Sequence, residues 1–88
     1  MARFVLQLSF KNNARRLEVR PAHREYLRTL LDQGKLITAG PFADDTGALL
    51  VYEAADAAEV RDILAADPYT AADVYDVEQL REWTPILP

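Results

Sequence analysis

The sequence predicts an α+β fold in which strands and helices follow the order β-α-β-β-α-β. An alternating apolar pattern opens the chain, apolar residues recur at helical spacing in two later segments, and a turn-rich loop joins two apolar runs between those segments. The chain has 88 residues, half of them hydrophobic. This length and composition predict a single globular domain over residues 1–88.

The first two predicted elements are a strand and a helix. Apolar residues alternate over residues 2–10, which is typical of a strand. The alternating residues are Phe4, Leu6, Leu8 and Phe10. The basic segment 14–19 is interpreted as a short helical turn or a mobile loop. A helix is predicted over residues 20–33, because Pro21 suits its first position and Gly34 suits a left-handed C-terminal cap.

The middle of the chain is predicted to form a β-hairpin. Residues 35–42 and 48–53 are mainly apolar, and both segments are short enough for single strands. The segment 43–47 between them contains aspartate, threonine and glycine, which favour a turn. We therefore expect the two strands to pair antiparallel.

A second helix and a last strand complete the predicted order. The helix is expected between Asp56, which begins a capping-box pattern, and Pro68, which disfavours helical conformation in the residue before it. Residues 69–72 are interpreted as a short link. The segment 74–83 is predicted to be a strand, and its alternation slips around Gln79, which indicates a bulge.

This element order is that of the ferredoxin-like fold, in which a four-stranded antiparallel sheet carries two helices on one face. Apolar residues occur on both sides of the strands. Along the chain, Val5, Ile37, Leu50 and Tyr52 alternate with Phe4, Leu6, Leu36, Leu49 and Val51. Two helices cover only one face of such a sheet, so we expect a second copy to cover the other face. The sequence thus predicts a homodimer or a higher oligomer built from it.

The distribution of charge limits the partners of the protein. Residues 1–35 carry a net charge of +5 and residues 36–88 a net charge of −9, which gives −4 for the chain. The opposite charges are expected to attract each other within one fold or across a dimer. An acidic chain is not expected to bind nucleic acid. The chain has neither an apolar run of about 20 residues nor a signal-peptide pattern, so we expect a cytoplasmic protein without a membrane partner.

Several kinds of catalytic site have no support in the sequence. The chain has no cysteine, which excludes thiolate metal sites and thiol nucleophiles. One histidine with scattered carboxylates is not a usual metal-ligand set, so no metal or other cofactor is expected. Ser9 is the only serine, and no nucleophile-elbow glycine motif surrounds it.

His23 is the candidate acid-base residue. It falls on the apolar arc of the predicted first helix, with Tyr26, Leu27, Leu30 and Leu31. A buried polar group without a partner costs about 1–3 kcal/mol, so His23 needs a hydrogen bond. Its expected place in the first helical turn also favours the neutral ring that a general base requires. The alternative is a structural histidine that is satisfied in the core.

Asp67 is the candidate partner of His23. It is expected at the C-terminal end of the second helix, where a negative charge is unfavourable without compensation. The two helices run antiparallel on one sheet face, so the start of the first is expected near the end of the second. Asp67 would then fix the tautomer of His23 through one ring nitrogen, while the other faces a ligand. The alternative is a solvated turn aspartate.

Several short motifs follow one another at a distinctive spacing. They are Arg20-Pro21-Ala22-His23, Leu27, Gly34 with Leu36, Ala39-Gly40-Pro41, and Ala66-Asp67-Pro68-Tyr69. Together they resemble the YCII-related (YciI-like) family over about residues 20–83. The resemblance implies a ferredoxin-like dimeric α/β barrel whose His-Asp active site maps onto His23 and Asp67. It also implies that one relative is a dehydrochlorinase acting on a chlorinated hydroxyquinone, and that similar barrels include muconolactone isomerases and cofactor-free monooxygenases.

The residues and the resemblance together favour a cofactor-free enzyme. It would perform general acid-base chemistry of the lyase, dehydrochlorinase or isomerase type on a small anionic or enolisable organic molecule. His23 is the expected base and Asp67 its orienting partner. Arg20 is expected to bind a carboxylate or phenolate oxygen of the ligand, or else to pair with Glu18.

Four further residues are candidates for contact with the ligand. Gly40 and Pro41 are expected to shape the pocket by close backbone approach, or simply to end a strand. Phe42 and Tyr69 are expected to line its wall, or else to pack as ordinary aromatic residues. The competing functional hypothesis is a non-catalytic homodimer that binds a small molecule or serves as a scaffold.

Overall fold

The structure follows the predicted order of elements and adds one short helix before the last strand. It is a computed structural model that describes residues 1–87. The elements are β1 (Ala2–Phe10), α1 (Asn13–Asp32), β2 (Leu36–Pro41), β3 (Gly47–Ala54), α2 (Ala57–Ala65), α3 (Pro68–Ala72) and β4 (Tyr75–Trp83). The strands form one antiparallel sheet in the order β2-β3-β1-β4. The predicted ferredoxin-like α+β fold is therefore confirmed.

Helix α1 is longer than the sequence predicts. It begins at Asn13, so residues 14–19 are helical but continuous with α1, and the alternative of a mobile loop is wrong. Asn12 has a left-handed backbone, and its side chain accepts a hydrogen bond from a backbone N–H of the first turn. Pro21 lies inside the helix, where it removes one backbone donor without ending the helix. Within residues 1–87, neither α1 nor another helix is long and apolar enough to span a membrane.

The C-terminal end of α1 confirms the predicted glycine cap. Gly34 has a φ of +75°, in the left-handed region that glycine adopts without steric cost. Its N–H donates to the carbonyl of Leu31 at 3.1 Å, and the N–H of Lys35 donates to the carbonyl of Leu30 at 2.9 Å. This pair of bonds is the Schellman arrangement, which satisfies carbonyls at the helix end.

The predicted bulge in the last strand is also present. Gln7 of β1 lies opposite Gln79, whereas the next residue, Leu8, lies opposite Val77. One residue of β4 therefore has no counterpart in β1, and the alternation of β4 changes phase there. The slip that the sequence shows around Gln79 is confirmed.

The core lies between the helices and one face of the sheet. Its buried residues include Phe4, Leu6, Leu8, Leu30, Leu50, Tyr52, Val60, Ile63 and Leu64. The register places Val5 opposite Val51 and Arg3 opposite Trp83, on the other face. Leu49 shares that face, and its side chain is 39% exposed. Thus Leu50 and Tyr52 belong to the core, whereas Leu49 and Val51 lie on the other face of the sheet, where Val51 is only 5% exposed.

We expect substitution of Gly47 by alanine to destabilise the protein strongly. Gly47 is buried at the start of β3, and a Cβ there would overlap the backbone carbonyl of Leu8 in the neighbouring strand. Because a backbone atom has little freedom to move, the free energy of unfolding should fall by about 2 kcal/mol or more. Gly40→Ala is the matched control, since a methyl group on Gly40 would have no other atom within 4 Å. Urea unfolding of both variants checks this, and equal stabilities would contradict it.

Candidate active site

His23 and Asp67 form a buried hydrogen-bonded pair. The imidazole Nδ1 lies 2.7 Å from Oδ1 and 3.0 Å from Oδ2 of the Asp67 carboxylate. The His23 side chain is 11% exposed and that of Asp67 only 2%. An ionised carboxylate can only accept hydrogen bonds, which assigns the hydrogen to Nδ1. The other ring nitrogen, Nε2, has no hydrogen-bond partner among residues 1–87 and remains available to a ligand.

His23 reaches this position from the middle of α1, not from its first turn as the sequence predicts. The effect of a helix dipole is confined to the terminal turns. The predicted effect of the helix start on the His23 ring is therefore absent, because His23 lies too far from that end. The buried face of α1 is narrower than the apolar arc that the sequence predicts. Leu30 is buried, whereas Leu31, which was predicted to share that arc, is 53% exposed.

Asp67 is held by the helix that follows it. It is the N-cap of α3, and its Oδ1 accepts a hydrogen bond from the backbone N–H of Tyr69 at 2.9 Å. Its own backbone is extended, as expected before Pro68. Asp67 lies directly after the C-cap of α2, as the sequence predicts, and its N–H donates to the carbonyl of Leu64 at 3.1 Å. A negative charge is favourable at a helix start, so the N-cap role in α3 supplies the compensation that this placement requires. Asp67-Pro68 is itself a helix-start signal, and it could have revealed α3.

Tyr69 fixes the plane of the His23 ring. The two rings stack in parallel, with centroids 3.7 Å apart and planes 3° from parallel. The Phe10 ring lies nearly perpendicular to the Tyr69 ring, with their centroids 6.3 Å apart. Burial raises the pKa of the Tyr69 phenol, and Arg16, Arg20 and Arg24 oppose that rise. The hydroxyl of Tyr69 therefore lies in the field of three guanidinium groups.

Three other tyrosines lie on the core side of Asp67. Burial raises the pKa of Tyr26, Tyr52 and Tyr75, and the negative charge of Asp67 adds to the rise in each case. Tyr26 donates to the carbonyl of Ile63 at 2.6 Å, whereas the Tyr52 hydroxyl has no partner among the described residues. These raised pKa values favour the protonated phenols. Tyr26 was predicted to share the apolar arc with His23, whereas Tyr52 and Tyr75 were not predicted to lie beside the site.

A cavity of about 280 Å³ opens beside His23. Its apolar floor includes Leu8, Leu27 and Leu50. Four residues predicted to contact a ligand also line it: Arg20, Gly40, Pro41 and Tyr69. The volume suits a molecule of about one ring, at the small end of the range for ligand pockets.

Phe42 does not line this cavity. It follows the last residue of β2, and 37% of its surface is exposed. Its backbone N–H donates to the carbonyl of Gly47 at 2.9 Å, within the turn between β2 and β3. The prediction that Phe42 forms part of the pocket wall is therefore wrong, although Pro41 before it and Asp45 after it both line the cavity.

Three arginines form a stripe along one side of the cavity. Arg16, Arg20 and Arg24 are spaced by four residues on α1, so they share one helix face. Arg16 is buried, Arg20 is half-buried and Arg24 is exposed. Arg20 does not pair with Glu18, which bonds to Arg15 at 3.0 Å. Arg16 and Arg24 were missed as pocket residues; their spacing with Arg20 is the signal that could have identified them.

The groups that the cavity offers to a ligand are one imidazole nitrogen and several cations. In the described part of the chain, no three histidine, aspartate or glutamate side chains come together as metal ligands. Nε2 of His23 can accept or deliver a proton. The neighbouring guanidinium groups can stabilise negative charge on an oxygen of the ligand.

Comparison with known proteins gives consistent results. Residues 2–84 match the family model of the YCII-related domain. Protein YciI from Escherichia coli O6:H1 and from Shigella flexneri are each 40% identical to this chain, over 70% of this chain and 74% of theirs. A solved structure of 5-chloro-2-hydroxyhydroquinone dehydrochlorinase (TftG) from Burkholderia phenoliruptrix AC1100, in complex with 2,5-dihydroxybenzoquinone, is similar. It has a TM-score of 0.78 and 26% identity, and the match covers 93% of both chains.

The family model covers more of the chain than the short motifs from which the sequence analysis identified a resemblance to this family. The family model includes β1, which the motifs from Arg20 onward do not cover. It also spans both helices that supply His23 and Asp67. The chain belongs to the YCII-related family.

Proposed function

We propose that the protein is a cofactor-free enzyme that performs general acid-base chemistry on a small anionic or enolisable organic molecule. The observation that carries the proposal is the 2.7 Å contact between His23 Nδ1 and Asp67, which leaves Nε2 as the base beside a cation-lined cavity. Tyr69 supports this role by stacking on the ring and limiting its rotation. No cofactor takes part in the proposed step.

The proposed step is a proton transfer at Nε2. His23 takes a proton from a hydroxyl, or from a carbon next to a carbonyl, and the electron pair of the broken bond moves into the substrate. The Asp67 carboxylate stabilises the imidazolium that forms, and Arg20 stabilises the developing oxyanion. Return of the proton at another atom gives an isomerisation. Departure of a group with its bonding electrons gives an elimination, in which the substrate loses that group and a proton.

The similarity to the dehydrochlorinase favours the elimination. The name of that enzyme describes loss of hydrogen chloride from a hydroxylated, chlorinated ring. Such a ring is flat, ionisable and of one-ring size, which agrees with a cavity of about 280 Å³. We therefore include dehydrochlorination among the reactions proposed for this protein.

The experiment is a chloride-release assay with 5-chloro-2-hydroxyhydroquinone under anaerobic conditions. Oxygen is excluded because hydroquinones oxidise in air without an enzyme. The purified protein is expected to release chloride faster than buffer and faster than heat-inactivated protein. Binding of 2,5-dihydroxybenzoquinone, measured in parallel, separates the alternatives. Saturable binding without any chloride release would support the non-catalytic binding homodimer instead.

We also propose that the protein is a homodimer, arranged as a dimeric α/β barrel, in which the open sheet faces of two copies pack together. Val5, Leu49 and Val51 lie at the centre of that face, next to Trp83. Charges of both signs surround this centre, including Arg3, Arg81 and Glu53. A two-fold interface places the same surface on both sides, so a face with mixed charges can match its own copy.

Leu49→Glu is expected to convert the dimer to monomers. The substitution puts a charge at the apolar centre of both copies of the interface, and the dissociation constant should rise by about a hundredfold or more. Leu31→Glu is the control, because Leu31 is also exposed but lies on α1, in the opposite layer. Sedimentation velocity measures both variants. A monomeric wild type, or a dimeric Leu49→Glu variant, would contradict the proposed interface.

A further inference from the structure

We propose that Arg16 and Arg20 form a carboxylate-binding subsite in the cavity, and that the side chain of Asp45 occupies this subsite until a substrate carboxylate replaces it. The proposal deepens the proposed function by adding carboxylates to the anionic groups that the cavity binds. It rests on the proposed function only for the proton transfer at His23 that follows ligand binding. The subsite itself is argued from the surroundings of two guanidinium groups.

The guanidinium group of Arg16 is buried and held by three partners. Its side chain is only 4% exposed. Nε donates to Oδ1 of Asn13 at 3.2 Å, and Cζ lies 4.1 Å from the centroid of the Phe10 ring. Nη2 donates to Oδ2 of Asp45 at 3.0 Å. A buried cation without an anion is unfavourable, so a carboxylate is needed at this position.

Asp45 is the partner that a ligand can replace. Its side chain is 57% exposed, and it comes from the turn between β2 and β3 rather than from α1. Asn13 and Phe10 keep the guanidinium in place when Asp45 leaves. A guanidinium has five N–H donors and binds carboxylates through two of them at once, so a ligand carboxylate fits the same position. The exchange keeps the buried cation paired throughout.

Arg20 extends the subsite toward His23. It lines the same cavity one helical turn after Arg16, and it forms no ion pair with any of the described residues. The Tyr69 hydroxyl lies in the field of both guanidinium groups, while the Tyr69 ring stacks on His23. A ligand bound through its carboxylate at the two arginines therefore presents the rest of its structure to Nε2 of His23.

The test measures binding of benzoate and of benzamide, its neutral counterpart, by NMR titration of the full chain. Asp45→Asn removes the resident carboxylate with little change of shape. It should bind benzoate about threefold or more tightly than the wild type, with benzamide unchanged, because the competing Asp45 carboxylate is 57% exposed and its ion pair contributes little more than this factor. Asp62→Asn is the control, because it changes the net charge by the same amount as Asp45→Asn. Asp62 is an exposed residue of α2 that does not line the cavity.

A second pair of variants tests the arginines. Arg20→Gln should weaken benzoate binding, whereas Arg28→Gln should not, because Arg28 is exposed on α1 and does not line this cavity. Unchanged or weaker benzoate binding by Asp45→Asn would overturn the proposal. So would an equal gain in Asp62→Asn, or the absence of saturable benzoate binding in every variant. These readouts need no turnover, so they are independent of whether the protein releases chloride.

Discussion

Replacement of His23 by asparagine is expected to lower turnover by about a hundredfold or more while ligand binding and the fold are retained. The asparagine amide can still donate to the Asp67 carboxylate, so the buried acceptor keeps a partner. It has no group that accepts and returns a proton near neutral pH. Positioned general acid-base groups contribute about 10²–10⁴ in rate, which sets the expected loss.

The measurement is the rate of chloride release from the chlorinated hydroquinone, together with the affinity for the quinone ligand. Glu25→Gln is the control, because Glu25 is an exposed residue of the same helix outside the cavity. Turnover equal to that of the wild type would exclude His23 as the base. Loss of folding, seen by circular dichroism, would instead indicate the structural histidine that the sequence left as an alternative.

Substitution of Asp67 by alanine is expected to produce the largest loss of stability in the site, about 2–4 kcal/mol. Two effects add. The N-terminus of α3 loses its cap, which costs about 0.5–2 kcal/mol, and the Nδ1–H of His23 is left buried without an acceptor, which costs about 1–3 kcal/mol. Chemical denaturation followed by tryptophan fluorescence measures the change, since Trp83 is the only tryptophan.

Asp56→Ala separates the two effects. Asp56 caps α2 through a hydrogen bond to the N–H of Glu59 at 2.9 Å, but it is exposed and has no histidine partner. Its loss should therefore cost about 1 kcal/mol. If Asp67→Ala were no more destabilising than Asp56→Ala, the buried pair would contribute nothing to stability. Asp67→Asn, which keeps an acceptor for the cap, should be closer to the wild type in stability and still impaired in turnover.

The sequence predicts those parts of the fold that depend on local signals. The alternation of β1, the glycine after α1 and the bulge around Gln79 each have a direct physical cause in a few neighbouring residues. The start of α1 was missed because two signals compete. Pro21 is typical of a first helical position, but Asn12, in a left-handed conformation, provides a cap earlier in the chain. Tertiary packing of the longer helix then tolerates the interior proline.

The contact between His23 and Asp67 that the sequence predicts is present, but the helix positions that supply the two residues differ from the prediction. His23 and Asp67 do meet, but His23 comes from mid-helix and Asp67 from the start of a helix that was predicted to be a link. The error in α1 also removed Arg16 from consideration, because its face could not be assigned without the helix. Phe42 was predicted, with Tyr69, as an aromatic residue of the pocket wall, but only Tyr69 lines the cavity.

The tautomer of His23 can be measured directly by long-range ¹H–¹⁵N correlation NMR. His23 is the only histidine in the chain, so its signals need no assignment by mutation. When the ring is neutral, we expect its hydrogen on Nδ1 and none on Nε2. In Asp67→Ala, we expect the preference for the Nδ1–H tautomer to be lost. A neutral ring that carries its hydrogen on Nε2 would contradict the proposed base, because that nitrogen could not then accept a proton from a substrate.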